Sequence, residues 1–135
     1  MNQTEKPWIY SFFPFPLSHI HRALKEYRVL LFDQRGTGLS SPILSQSLLP
    51  LTPSQQFEYL KHFRADSIVK DCEAIRQTLL GPLQKWTILG QSFGGFILMT
   101  YLSFYPQGIE AGIFTGGIPP IEEARKRCIR PLFEE

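Results

Sequence analysis

The run from Trp86 to Leu102, Trp-Thr-Ile-Leu-Gly-Gln-Ser-Phe-Gly-Gly-Phe-Ile-Leu-Met-Thr-Tyr-Leu, has the residue types and spacing for nucleophilic chemistry. An apolar, strand-like segment meets Gly90-Gln91-Ser92-Phe93-Gly94 and passes into helical periodicity, the layout of a nucleophile elbow. A serine at so sharp a strand-to-helix turn takes a strained backbone conformation. The chain segments on either side come so close that only very small residues fit two places before it and two after. Gly90 and Gly94 stand at those places, flanking Gln91, Ser92 and Phe93. The first N–H groups of a helix have no partner inside it, so the Phe93 N–H would face the oxyanion formed when Ser92 attacks a carbonyl. Glycine and serine are common residues, and three fixed positions carry little weight alone. The weight comes from context: Trp86 to Leu89 reads as a buried strand, and Phe96 to Tyr105 as a helix stopped by Pro106.

The elements that must hold this turn are legible in order. Trp8-Ile9-Tyr10 is a short strand, and the aromatic, twice-proline stretch Ser11-Phe-Phe-Pro-Phe-Pro16 bars a central strand or a regular helix. Ser18 caps a short helix carrying His19, His21 and Lys25. Tyr27 to Phe32 is a continuous apolar run, expected to be a strand buried on both faces of a parallel sheet. It runs into Asp33-Gln34-Arg35-Gly36-Thr37-Gly38-Leu39-Ser40. This is not a dinucleotide fingerprint, because Ser41 replaces the third glycine and Pro42 blocks a helix there. Neither glycine cluster is followed by the lysine of a phosphate-binding loop. A tight loop at the carboxyl end of a parallel strand remains, where α/β proteins place their sites.

Thr52-Pro53-Ser54-Gln55 predicts a helix opened by a capping box, burying Phe57, Leu60 and either Tyr59 or Phe63. A second helix from near Asp66 presents Ile68, Cys72, Ile75 and Leu79 as one apolar stripe with charged residues opposite, and Gly81-Pro82 ends it. Ala111 to Thr115 reads as another strand, followed by the turn-rich Gly116 to Pro120 and a charged, helical tail from Ile121 to Glu135. Strands alternating with helices imply the α/β class, with a parallel sheet and helices on both faces.

With 135 residues, 43% hydrophobic and 19% charged, the chain has the composition of one ordinary globular domain. A formal net charge of +2 gives no case for nucleic acid, and the brief basic cluster Arg125-Lys126-Arg127 with Arg130 reads as a solvated helix face. Cys72 and Cys128 are isolated, without metal-ligand spacing or a signal peptide ahead of them. They point to thiols in a reducing, cytoplasmic setting, with no metal or other cofactor. No apolar run approaches the ~20 residues that span a bilayer, so no membrane is expected.

Asp33 to Gly38, Phe63-Arg64-Ala65-Asp66-Ser67-Ile68-Val69, Leu89 to Gly95 and Thr115 to Pro120 together resemble the proline iminopeptidases, or prolyl aminopeptidases, of the α/β-hydrolase fold. The likeness covers roughly Arg22 to Pro120. It implies a serine peptidase that releases an N-terminal proline from a peptide with a free N-terminus. In that resemblance Ser92 matches the nucleophile, the Phe93 N–H an oxyanion donor, and Gly90, Gln91, Gly94, Asp33 and Arg35 the elbow and the loop beside it. Residues 1–120 then correspond to the N-terminal part of a hydrolase domain and 121–135 to the start of a helical cap or a frayed tail. Most of the cap and the C-terminal half of the fold are expected to be missing.

Two departures shape the functional expectation. The family places a catalytic aspartate and then a histidine after the serine, whereas Asp33, Asp66, Asp71, His19, His21 and His62 all precede Ser92. Ser11 to Pro16 stands where the family has a glycine-rich turn that supplies the second oxyanion donor. The chain is therefore expected to be inactive, or nearly so, on its own. An esterase or acyl hydrolase on the same scaffold is the alternative enzyme reading, and a partial domain associating through an exposed sheet edge is the non-enzymatic one.

Overall fold

The structure, a computed structural model, describes residues 6–11 and 23–117. The expectations for Phe12 to Arg22 and for the tail after Gly117 lie outside the described residues. Four strands form one parallel sheet: β1 (Trp8–Ser11), β2 (Arg28–Leu31), β3 (Trp86–Gln91) and β4 (Ile109–Thr115), in the order β2-β1-β3-β4. The helices are α1 (Ser45–Leu48), α2 (Pro53–Lys61), α3 (Ala65–Leu80) and α4 (Phe93–Phe104), with a 3-10 turn at Pro106–Gly108. Residues 23–26 are also helical. No helix among the described residues is long and apolar enough to cross a membrane.

The strand order locates the site before any side chain is considered. The chain steps outward from β1 to β2, then crosses back over β1 to lay down β3 and β4. The winding therefore reverses between β1 and β3. Loops leaving the carboxyl ends of those two strands part in opposite directions there and open a crevice. Ser92 directly follows β3, and Ser11, which is buried, ends β1 in register with Leu89.

Register also assigns the two faces. Trp86 and Ile88 share one face of β3 with Leu30 of β2 and Gly112 of β4, and α4 lies across that face with α3 packed against it. Ile68, Val69 and Cys72 of α3 meet Ile97, Leu98 and Tyr101 of α4 in the core. Trp86 and Tyr101 meet edge to face with ring centroids 6.3 Å apart, an arrangement the aromatic quadrupoles favour. The strand expected at Tyr27 to Phe32 forms over Arg28–Leu31 but is not buried on both faces: among the described residues it is an edge strand, and Leu31 is half exposed.

The capping box forms at α2. The Thr52 hydroxyl accepts from the Gln55 N–H at 3.4 Å, and the Thr52 N–H donates to the Gln55 side chain at 2.9 Å, with Pro53 in the first turn. The expected burial of Phe57 and Leu60 does not follow. Both are exposed and α2 buries no residue, because it lies at the rim where no sheet face is within its reach. Of the apolar residues expected to be buried there, Tyr59 and Phe63 are half buried, as a tilted pair 5.0 Å apart.

The apolar stripe of α3 is rotated from its expected position. Leu79 is exposed and Ile75 half buried, while Val69, Glu73 and Arg76 join Ile68 and Cys72 inside. Glu73 and Arg76 do not face solvent. Their charges are buried because each is paired: Arg76 donates from Nε and from a terminal nitrogen to the two Glu73 oxygens at 2.9 and 2.8 Å. The Tyr101 hydroxyl and the Gln77 amide both donate to the same carboxylate at 2.7 Å. Arg76 also donates to the carbonyls of Gly81, Pro82 and Gln84, which close the loop before β3. Hydrogen bonds from Arg76, with those of Tyr101 and Gln77, outweigh desolvation and hold the Glu73 carboxyl at about 2 against 4.5 for the isolated group. Burial, reinforced by Glu73, pushes the Tyr101 phenol up.

Replacing Arg76 by Met is expected to destabilise the fold by about 3–5 kcal/mol in urea unfolding, because it leaves the Glu73 carboxylate buried and unpaired. The folded-state value of Glu73 lies below its unfolded one, so its contribution is complete above pH 4.5 and fades as pH falls toward about 2. That loss, about 3 kcal/mol, should appear as an acid-side fall in unfolding free energy. Glu73→Gln should flatten the fall, and an unchanged acid limb in that variant would contradict the assignment.

Candidate active site

Ser92 sits between the last residue of β3 and the first of α4 with φ 50° and ψ −117°. Among the described residues it is the sole non-glycine with positive φ. Such backbone costs a β-carbon-bearing residue about 1–3 kcal/mol and persists only where its surroundings impose it. They do so from both sides. The Ser92 N–H donates to the Thr115 carbonyl at 3.0 Å, continuing the β3–β4 ladder, while its carbonyl accepts from Gly95 at 2.9 Å and starts α4. The residue is thus the last rung of a sheet and the first of a helix, and its side chain is exposed.

Gly90 is buried, and a β-carbon there would lie 2.7 Å from the Gly94 carbonyl carbon and 2.8 Å from the Gly95 nitrogen. Both are main-chain atoms of the first turn of α4 and cannot swing aside. Gly94 is likewise buried. A further close approach was not legible in the motif: a β-carbon on Gly95 would stand 2.7 Å from the Gly117 α-carbon. The loop leaving β4 therefore rests against the first turn of α4 beside Ser92. Phe93 is half exposed and stacks on Phe96 with centroids 6.0 Å apart. As the first residue of α4 its N–H has no carbonyl within the helix to bond. Gln91, paired with Thr115, is exposed.

Asp33 and Arg35 form a separate cluster. The Asp33 carboxylate accepts from the Leu39 N–H at 2.8 Å, and its carbonyl accepts from the Ser40 hydroxyl at 2.5 Å, folding the loop after β2 onto itself. Arg35 reaches α3, donating to both Asp71 oxygens at 2.6 and 2.5 Å and to the His62 carbonyl at 2.8 Å. The Asp71 hydrogen bonds raise the Arg35 guanidinium above its ordinary range. This loop and α3 enclose an open cleft of about 600 Å³, lined by Phe32, Arg35, Leu39, Phe63, Asp71 and Ile75 among others, and Ser92 is not part of it. No hydrogen bond among the described residues joins Asp33, Arg35 or His62 to Ser92. His19 and His21 lie outside the described residues. Among the described residues no group of His, Cys, Asp or Glu is placed to hold a metal ion.

The family model for the α/β hydrolase fold matches residues 7–127, most of the chain. The chain belongs to the α/β-hydrolase fold family. It is 51% identical over 115 residues to a proline iminopeptidase of Aeromonas sobria, covering 85% of this chain and 27% of that protein. It is 44% identical over 114 residues to a proline iminopeptidase of Aspergillus aculeatus, covering 81% and 25%. A third, from Pestalotiopsis fici, is 32% identical over 93 residues, covering 69% and 27%. The chain spans about a quarter of the length of these curated relatives. In this chain Gly90, Ser92, Gly94 and the Gly117 contact form one unit in which strand, helix and the next loop converge on a single serine.

Gly90→Ala is expected to destabilise by about 2–4 kcal/mol, because its methyl meets main chain rather than a movable side chain. Ser92→Gly is expected to raise stability by about 1 kcal/mol through relief of the positive φ, whereas Ser92→Ala, which keeps the β-carbon, should not. Thermal unfolding of the three variants checks both, and equal shifts for Ser92→Gly and Ser92→Ala would count against backbone strain at the turn.

Proposed function

We propose that this chain carries the nucleophile of a prolyl aminopeptidase-type serine hydrolase. Ser92 Oγ attacks the carbonyl of an N-terminal proline, and the Phe93 N–H stabilises the oxyanion. The observation that carries the reading is Ser92 at φ 50° on a strand-to-helix junction whose closeness only glycine permits. Proline iminopeptidase relatives over 85% and 81% of the chain support the substrate class, a peptide with a free N-terminal proline. A serine hydroxyl is a weak nucleophile at neutral pH unless a base takes its proton. No histidine or aspartate follows Ser92 in the 135 residues, and the aspartates among the described residues are engaged elsewhere or lie apart from it. On its own the chain therefore turns over prolyl substrates little or not at all. A reducing, cytoplasmic setting is the reading of the two isolated cysteines of the sequence, Cys72 and Cys128.

The test joins this chain to the remaining sequence of the Aeromonas sobria relative. The fusion is expected to release 4-nitroaniline from a prolyl-4-nitroanilide, and Ser92→Ala to lower that rate by at least about 10³. Turnover that survives Ser92→Ala removes Ser92 as the nucleophile. Steady, Ser92-dependent turnover by the 135-residue chain alone refutes only its inactivity.

A further inference from the structure

Gly95, in the first turn of α4, and Gly117, in the loop leaving β4, need to be glycine only because of each other. Neither has positive φ, which among the described glycines occurs at Gly36, Gly38, Gly81 and Gly116. A β-carbon on Gly95 would stand 2.7 Å from the Gly117 α-carbon, and one on Gly117 would stand 3.0 Å from the Gly95 α-carbon and 3.4 Å from its carbonyl carbon. In open surroundings alanine would favour the helix at Gly95. The loop is held on its other side as well: the Thr115 carbonyl accepts from the Ser92 N–H at 3.0 Å, and Gly116, at φ 66°, turns the chain onto α4.

This contact bears on the reacting groups through one peptide plane. The Ser92 carbonyl and the Phe93 N–H belong to the same planar, trans peptide and point in opposite directions. The Gly95 N–H donates to that carbonyl at 2.9 Å and the Phe96 N–H at 3.4 Å, so these two donors set where the Phe93 N–H is aimed. Gly117 rests on the Gly95 main chain, and its β-carbon position is 3.7 Å from the Ser92 carbonyl oxygen itself. Displacing Gly95 tilts the plane and turns the Phe93 N–H with it. An oxyanion donor is effective only when it is already aimed at the place where charge develops.

We propose that Gly117, acting through Gly95, is a positioning residue for the oxyanion donor: the loop leaving β4 braces the Ser92–Phe93 peptide from behind, so that the Phe93 N–H faces the developing charge. The inference rests on the hydrolase reading of Ser92. Its effect falls on the transition state and not on substrate binding, because the bound peptide does not yet carry that charge.

The test uses the fusion with the Aeromonas sobria sequence. Gly117→Ala, which asks its neighbour to give by a few tenths of an ångström, should lower kcat by about tenfold, and Gly95→Ala, with the tighter contact, by about 10², each with KM changed less than about twofold. Proline boronic acid separates aim from folding. Its boron accepts a lone pair of Ser92 Oγ while the hydroxyl proton is lost to solvent, and the tetrahedral adduct sets an oxygen where the oxyanion forms. Its affinity should fall by the same factor as kcat, while inhibition by proline stays unchanged. Gly81→Ala is the control for stability alone: at φ 87°, with open space around its β-carbon position at the end of α3, it should lower the melting temperature and leave kcat and both affinities as they were. Amide hydrogen exchange on the 135-residue chain needs no turnover. The Gly95 N–H should exchange about tenfold faster in Gly117→Ala, relative to the core amides of α3. Kinetic constants and boronic acid affinity that match those of Gly81→Ala, or Gly95 exchange that keeps pace with α3, overturn the proposal. Turnover by the fusion that survives Ser92→Ala, or no turnover at all, strikes the hydrolase reading instead, and the exchange measurement then decides the brace on its own.

Discussion

The buried pair of Glu73 and Arg76 is the constraint on which the rest of the structure depends. A guanidinium and a carboxylate inside a core are tolerated only when nearly every lone pair and N–H has a partner, and here the partners come from four different places. They are Gln77 on the same helix, Tyr101 on α4, the carbonyls of the loop before β3, and each other. Gly108 lies so close to the pair that a β-carbon there would stand 2.8 Å from Arg76 Nε. The network therefore fixes the segment entering β3, the helix leaving it and the turn entering β4. Hydrophobic packing of Trp86, Ile88 and Leu98 supplies the larger, non-directional attraction, while the polar network selects one register among the packings that would satisfy it.

The strained serine depends on that arrangement. Positive φ at Ser92 is unfavourable locally, and it holds because the β3–β4 ladder pulls its N–H one way while the start of α4 claims its carbonyl the other. Tyr101, two turns further along α4, is anchored to Glu73, so the helix cannot rotate to relax the turn. Stability held in the core is thus applied at an exposed serine. The topology explains why the strain falls there: the winding reverses between β1 and β3, and the crevice at their carboxyl ends is the place where a loop can be tightened without colliding with a neighbouring crossover.

The loop after β2 is tied to the same scaffold. Arg35 ties it to Asp71 on α3, two residues before Glu73 and five before Arg76, so α3 braces the sheet from its interior and the loop from its rim. Aspartate and arginine in a glycine-rich loop at the end of a strand have the composition of a site. Their hydrogen bonds show a clamp, with the carboxylate turned to a main-chain N–H and the guanidinium to a helix.

Sequence alone determined what depends on local chemistry. The Thr52 and Gln55 capping box and the end of α3 at Gly81 each rest on neighbours within a few residues, and each forms where its residues require. The same holds for the alternation that gives a parallel α/β sheet. Only the tertiary structure decided the rotation of α3, because an i, i+3 glutamate and arginine read as a solvated pair until Tyr101 of α4 and three carbonyls of the loop after α3 meet them. It also decided that Phe57 and Leu60 stay exposed, since amphipathic spacing specifies an apolar face but not whether a sheet lies within reach. The contact of Gly95 with Gly117 was equally out of sight, because a close approach between residues from different crossovers leaves no mark in the spacing of either.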